Sequence, residues 1–449
     1  EVTSGARKRI GFMEWPAMAV GAQTPSGIGF QLVRTHEGIG KRYDFQNLKD
    51  EDGALLPDDV DTLFLFRPRD LTDRQKYVID QFVVRGGTLV VFADAAEYAI
   101  GQQRTLHRIP FQIDASGSQL RFVDQLASYG IDWRPKVLAD MAPQAHTPRD
   151  RFRAADEYLA VMQQTAFGPR AATVAYPYFF HAVNFDWAKA ADELARIDGK
   201  VDEDLARRYR DVFVPGMPTE DFLFAAFRRF GRGPSFYWPT WTGLVQKAGG
   251  VADLPDDVTG RVLLWSSPMA LVEDPPIQLD PIGRDPLRVQ QSHRDFSQKL
   301  LERFRAEPRL QAPLMVEVKG RLRSFFAGKE KPKRPSQLKA EREAEAADPK
   351  ADGDEAADEP TAAVPPVNPD EGPQPAPKTE PAAAVDNEPA MRLGGDAAAR
   401  IVMVGDATFL RDDLVRGDHR QAGGPVSSAT ALIFFSSLLD WLSEDRDLV

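Results

Sequence analysis

Apolar residues along this chain fall into short continuous runs separated by stretches in which they recur every three to four positions. RIGFM (9–13), DTLFLFRP (61–68) and TLVVFAD (88–94) are unbroken runs, the pattern of strands covered on both faces; a strand with one wet face would alternate. Between the last two, Thr72 followed three residues later by Gln75 predicts a capped helix start. Val78, Ile79, Phe82 and Val83 then share one helix face, Arg74, Lys76, Asp80 and Arg85 the other, and Gly86-Gly87 ends the element. Strand, helix and strand with short connections predict a right-handed parallel crossover. A helix over 28–37 and a weaker strand YDFQNL (43–48) fill the space before it.

Further along, the periodicity predicts a helix over 120–129 closed by Gly130, then a short strand KVLAD (136–140). Residues 141–260 are less regular, with a strand ATVAYPYFF (172–180), a helix over 187–214 and an aromatic loop PSFYWPTWTG (234–243). RVLLWSS (261–267) and PLMVEVKG (313–320) read as strands with a helix near 296–304 between them. RIVMVGDATFL (400–410) reads as a strand running into a loop, and SSATALIFFSSLLDWL (427–442) as a helix with a broad apolar face. The expected architecture is α/β, with a parallel-rich sheet holding 9–13, 61–67, 88–93, 261–265 and 400–404 and helices on both faces. The α/β domain takes residues 7–140, 261–328 and 393–449, interrupted by a mixed insertion (141–260) and a linker (329–392).

Charge isolates that linker. The chain has 56 Lys and Arg against 67 Asp and Glu, a net −11, and residues 341–390 alone hold 14 acids and three bases, also −11. The remainder is neutral, which argues against nucleic acid as a partner gripped through a basic face. Residues 327–408 contain no aromatic side chain and 341–390 contain ten prolines, so 331–389 is expected to lack packed structure. No run reaches the 18 apolar residues of a membrane helix. The chain opens at Glu1 without a leader-like segment and stops just after an apolar helix, so the expectation is a soluble region excised from something longer.

The chemical inventory is sparse. No cysteine means no disulfide, thiolate metal site or cysteine nucleophile. Six histidines are scattered singly, and no P-loop, dinucleotide fingerprint or nucleophile elbow occurs, so no catalytic residue, metal ligand set or cofactor is assigned. Three carboxylates stand out because ligands of open α/β sheets sit beyond the carboxyl ends of the strands: Glu14, Asp94 and Asp406 each follow a strand. The structural alternative is that Asp94 and Asp406 cap the turns that follow them. Trp238 and Trp241, within the aromatic loop, offer a stacking surface for a sugar or a protein, or else a satellite core.

The stretch VDTLFLFRPRDLTDRQKYVIDQFVVRGGTLVVFAD resembles the signature of auxiliary components of ABC-type transport systems related to gliding motility. The matching positions are Asp61, Leu63, Pro68, Leu71, Thr72, Ile79, Asp80, Phe82, Gly86, Gly87 and Asp94. SYGI (128–131), YPYFF, the LLxSSP segment ending at Pro268, PLMVEVKGRLRSFF and VGDATFL follow in family order. The resemblance implies a flavodoxin-like or class I glutamine-amidotransferase-like fold used for protein interaction, since amidotransferase chemistry requires a cysteine that this chain lacks. It also implies work beside an ABC permease and its ATPase, with membrane attachment through segments outside these residues.

The leading expectation is therefore a non-enzymatic auxiliary subunit at the bacterial cytoplasmic membrane, its soluble region facing the periplasm or cell exterior. The alternatives are a glycan- or small-molecule-binding module and a metal-assisted hydrolase built on the strand-end carboxylates. A deep apolar pocket at 234–243 would favour the module, and convergence of the three carboxylates the hydrolase. Oligomeric state and transported substrate are not legible.

Overall fold

The computed structural model describes residues 8–15, 31–101, 112–117, 120, 122–141, 158–165, 168–197, 199–218, 220–229, 233–247, 250–251, 256–274, 289–347, 388–395, 397–410 and 428–444. Its centre is a seven-stranded sheet of β1 (Lys8–Glu14), β2 (Tyr43–Asn47), β3 (Thr62–Phe66), β4 (Thr88–Phe92), β5 (Thr259–Trp265), β6 (Pro313–Gly320) and β7 (Ala399–Val404), in the order β5-β6-β7-β4-β3-β1-β2. β2, β1, β3, β4 and β7 are mutually parallel, and β6 runs antiparallel to both β7 and β5. All five strands expected in the sheet are there. The run PLMVEVKG joins them as the antiparallel member.

The unbroken apolar runs have a direct cause, because alternate side chains of each central strand enter different cores. Phe64, Phe66, Val90, Phe92, Val402 and Val404 face one side, where they meet Phe434, Phe435 and Leu438 of the last helix. Leu63, Leu65, Leu89, Val91, Ile401 and Met403 face the other, against Val78, Ile79, Phe82 and Val83. Burying each such side chain contributes roughly 1.5–3 kcal/mol, which favours a sheet sandwiched between helices over any half-wet arrangement.

Six helices matter here: α1 (Gln31–Thr35), α2 (Asp73–Val84), α3 (Val123–Ser128), α4 (Val289–Ala306), α5 (Pro335–Ala347) and α6 (Ser428–Glu444). α2 starts as its sequence predicts. The Thr72 hydroxyl accepts the Gln75 N–H at 3.1 Å and the Gln75 amide oxygen accepts the Thr72 N–H at 3.1 Å. It ends at Gly86, whose φ of 94° suits glycine, and where an added Cβ would lie 2.7 Å from the Ala397 methyl group.

Two charged residues of α2 depart from expectation. Arg74 and Asp80, placed on the wet face by periodicity, are both buried, because the chain after β6 packs across that face. Asp80 accepts the Tyr129 hydroxyl and the Phe325 N–H, each at 2.7 Å, on one oxygen, and the Ser324 hydroxyl at 2.6 Å on the other. One carboxylate thus pins α2 to the end of α3 and to the segment beyond β6. Burial first, and then the Asp80 charge, pushes the Tyr129 phenol well above its usual pKa, so it stays a hydrogen-bond donor.

The middle of the chain differs more. The expected helix over 187–214 breaks into a 3₁₀ turn (Trp187–Ala190), a helical turn (Ala191–Leu194), a two-residue hairpin and a helix at Glu203–Val212. Gly199 has φ 81°, and Asp202 starts the last helix by accepting the Leu205 N–H at 3.0 Å; the Asp-Gly pair at 198–199 is the turn signal that the periodic reading passes over. The run at 172–180 splits into strands Gly168–Ala175 and Phe179–His181 around Pro177. KVLAD is the end of a longer strand, Ile131–Asp140, which lies between Thr240–Leu244 and Ala270–Glu273 in a separate antiparallel sheet. Pairings therefore cross both edges of the expected 141–260 insertion.

The expected linker is also narrower than its composition implies. α5 occupies 335–347, with ion pairs Lys333–Glu341 at 2.7 Å and Lys339–Glu343 at 3.8 Å, and residues 388–395 lie against α2. Low apolar content does not prevent helix in a segment rich in Ala and Glu. The rest of the linker, 348–387, lies outside the described residues.

Two outcomes follow. Asp80→Ala takes this acceptor from four donors, the Tyr129 and Ser324 hydroxyls, the Gln81 amide and the Phe325 N–H, and is expected to destabilise the protein by roughly 3–5 kcal/mol in urea denaturation. A loss below about 1 kcal/mol would remove Asp80 from its central role. Excising 348–387 with a short Gly-Ser replacement is expected to leave Tm within a few degrees by calorimetry, because closure entropy changes slowly with loop length.

Candidate functional site

The register brings the predicted strand ends level: Glu14 pairs with Phe66, Phe66 with Phe92, and Phe92 with Val404. Glu14, Asp94 and Asp406 accordingly lie along one edge of the sheet, all buried. The structure brings Asp94 and Asp406 together and gives both a holding task. Asp94 accepts the Ala407 N–H at 2.7 Å and the Thr408 hydroxyl at 3.1 Å. Asp406 accepts the N–H groups of Thr408 at 2.7 Å and Phe409 at 3.1 Å on one oxygen, and that of Tyr237 at 2.5 Å on the other. These are the bonds of turn caps, joined across three segments far apart in sequence.

Burial, and next the neighbouring charge of Asp94, raises the Asp406 carboxyl well above the usual carboxylate range; the three N–H donors oppose this without reversing it. Tyr98 beside it is likewise raised, by burial first and then by Asp94 and Asp406.

Above these carboxylates lies the segment expected to be an aromatic loop. It is two short strands, Ser235–Tyr237 and Thr240–Leu244, folded over the end of β7. The Thr240 N–H donates to the Gly405 carbonyl at 2.6 Å, and a Cβ on Gly405 would lie 2.2 Å from the Thr240 oxygen, so only glycine permits the contact. Trp238 is 1% exposed. Its ring stacks on Tyr98 with centroids 4.6 Å apart, and its indole N–H donates to the Tyr176 hydroxyl at 2.7 Å. Trp241 sits apart from it, half-buried, under the Arg134 guanidinium at 5.0 Å. The two indoles do not form one platform, and Trp238 is core.

Sequence spacing does not reveal one Ser–His contact. Ser235 Oγ lies 3.2 Å from His181 Nδ1, and also 2.7 Å from Thr430 Oγ1. The same Nδ1 is 3.2 Å from the Gly233 carbonyl, so a backbone oxygen and the serine hydroxyl share one ring nitrogen. Ser235 and His181 are both buried. Among the described residues no group of three His, Asp or Glu side chains is placed to hold a metal ion. Asp140 is likewise engaged, accepting the Ser267 N–H at 2.8 Å and the Ser267 hydroxyl at 2.5 Å.

Two features lay outside the reach of sequence reasoning. The turn after β3 contains Arg67 and Asp70, both non-glycine residues at φ 54°. This left-handed backbone stands at the carboxyl end of β3, beside Glu14 of β1. A cavity of about 240 Å³ opens at the opposite edge, lined by Lys8, Arg9, Asp59, Asp61, Leu439 and Leu442 among others, where β1 and β3 begin. Asp and Asn tolerate positive φ, so Asp70 carried a faint signal and Arg67 none.

Arg67→Gly is expected to stabilise the fold by about 0.5–1 kcal/mol by removing the left-handed strain; chemical denaturation reads this, and a loss would show that the arginine side chain outweighs the strain. Asp406 makes a pH-dependent contribution. With its folded pKa raised, its stabilisation is full below the unfolded carboxylate pKa and is lost as pH rises through the folded value. Asp406→Asn should flatten the stability–pH profile across that interval, in denaturation midpoints measured from pH 4 to 8.

No curated protein and no solved structure matches the chain. No helix among the described residues is long and apolar enough to cross a membrane. A family described as an ABC-type uncharacterized transport system matches residues 7–164, which include β1 to β4, α2 and the Gly-Gly turn at 86–87. Over those residues the chain is similar to that family of ABC-type transport components, the one its motif series resembles.

Proposed function

We propose that this chain is a non-enzymatic auxiliary subunit of a bacterial ABC transport complex, acting by contact with the permease and ATPase subunits on the extracytoplasmic side of the membrane. The observation that carries this reading is the state of the sheet's carboxyl edge, where open α/β sheets receive ligands. There Asp94 and Asp406 accept five hydrogen bonds from the protein's own backbone and hydroxyl groups, and the 235–244 segment covers them. Carboxylates so engaged are poor metal ligands or general bases. Ser235 and His181 are both buried, and the serine hydroxyl is also engaged by Thr430 at 2.7 Å, away from any open surface where a substrate would reach it.

The finer fold assignment belongs to the same proposal. Taken in order across the sheet, the five parallel strands run β2-β1-β3-β4-β7, which is the flavodoxin-like order 2-1-3-4-5. β6, antiparallel to both its neighbours, and then β5 extend the sheet beyond β7. In this reading the scaffold serves interaction, and the strained turn at the β1/β3 switch point, where Arg67 is half-buried and Asp70 exposed, is the part of the edge that a partner would meet.

The reading predicts that the full-length subunit co-purifies with a permease and an ATPase from its native membrane. In reconstituted vesicles, omitting it should change complex assembly or the ATPase rate. Unchanged assembly and rate, together with hydrolysis of a glycan or ester by the isolated chain, would replace this proposal with the enzymatic one.

A further inference from the structure

The cavity of about 240 Å³ at the amino edge of the sheet has walls of two kinds. One is apolar and set by helix spacing: Leu439, Leu442 and Ser443 recur at three and four residues and so share a face of the last turns of α6. Asp440 beside them fixes that face against the sheet, accepting the Arg42 guanidinium at 2.5 Å and the Tyr43 hydroxyl at 2.7 Å. Lys8 closes the seam between helix and β1 by donating to the Ser443 carbonyl at 3.3 Å. The wall is therefore anchored before any ligand arrives.

The other wall is charged and carries both signs. Arg9 of β1 pairs with Asp59, which lies just before β3. Their side chains are 41% and 57% exposed, so water screens the pair and exchanging it for a ligand costs little. A ligand of one sign would take one member and return the other to water. A zwitterion engages both at once, with its carboxylate on the guanidinium fork and its ammonium on the aspartate. Volume sets the size: sites for drug-sized ligands begin at about 300 Å³, and this cavity is smaller.

We propose that the cavity is a binding site for a small zwitterion of the α-amino-acid class with a short aliphatic side chain. Arg9 receives the carboxylate, Asp59 the ammonium group, and Leu439 and Leu442 meet the side chain. Both leucines are already buried by the fold, so little further apolar surface is covered and the affinity is modest. The site lies at the opposite edge from Asp94 and Asp406, and the assignment is independent of the transporter reading.

Calorimetry on the full chain tests it with L-leucine and two analogues that each keep one charge, 4-methylpentanoate and 3-methylbutylamine. Leucine is expected to bind with Kd of roughly 0.1–1 mM, and each analogue about tenfold more weakly. Arg9→Gln and Asp59→Asn should each weaken leucine about tenfold while leaving the Tm of the ligand-free protein within about 2 °C, since the pair is exposed. No heat with about 20 mM leucine would overturn the proposal. So would an analogue that binds as well as leucine, or unchanged binding by both variants, which would place the ligand elsewhere.

Discussion

The structure depends on one pairing: β7, close to the end of the chain, lies between β4 and β6 in the middle of the sheet. Until residues 399–404 arrive, β4 and β6 each present an open edge, and the side chains of Val402 and Val404 are missing from one core, those of Ile401 and Met403 from the other. α6, later in the chain, covers Phe64 and Phe92 through Phe435. The long polar stretch before β7 is tolerated because lengthening a loop costs little entropy, whereas losing a central strand would forfeit both cores.

That late arrival explains where the buried charges sit. Asp94, at the end of β4, grips Ala407 and Thr408 just beyond β7, and Asp406 grips Tyr237 of the covering segment. Asp80 of α2 ties in Ser324 and Phe325 after β6, and Glu317 of β6 is clasped by Arg261 of β5 at 2.6 Å and Arg400 of β7 at 2.7 Å. Each carboxylate collects donors from segments remote in sequence. A carboxylate at the end of a strand is as well suited to securing the next strand's turn as to binding a ligand.

The same logic separates scaffold from surface. The carboxyl edge over β4 and β7 is covered by the 235–244 segment, while the turn after β3 keeps a left-handed arginine and aspartate beside the β1 end. The family matched over residues 7–164 includes that turn and the α2 that follows it. In the central layer the buried carboxylates and aromatic stacks hold the sheet together.

The sequence by itself determined the central strands, the capped start and glycine end of α2, the broad apolar face of α6 and the acidic excursion. Each of these rests on local pattern: continuous apolar runs, a Thr-Gln capping box, a glycine pair, a block of one charge. It also placed Glu14, Asp94 and Asp406 at strand ends, since strand polarity is local too. Only the tertiary structure decided that Asp94 and Asp406 bind backbone, that Trp238 is core rather than platform, and that Arg74 and Asp80 are buried on a face that periodicity marks as wet. Those outcomes depend on partners far along the chain, such as Tyr176, 62 residues from Trp238, and Ala407, 313 residues from Asp94, and no local pattern encodes such distant neighbours.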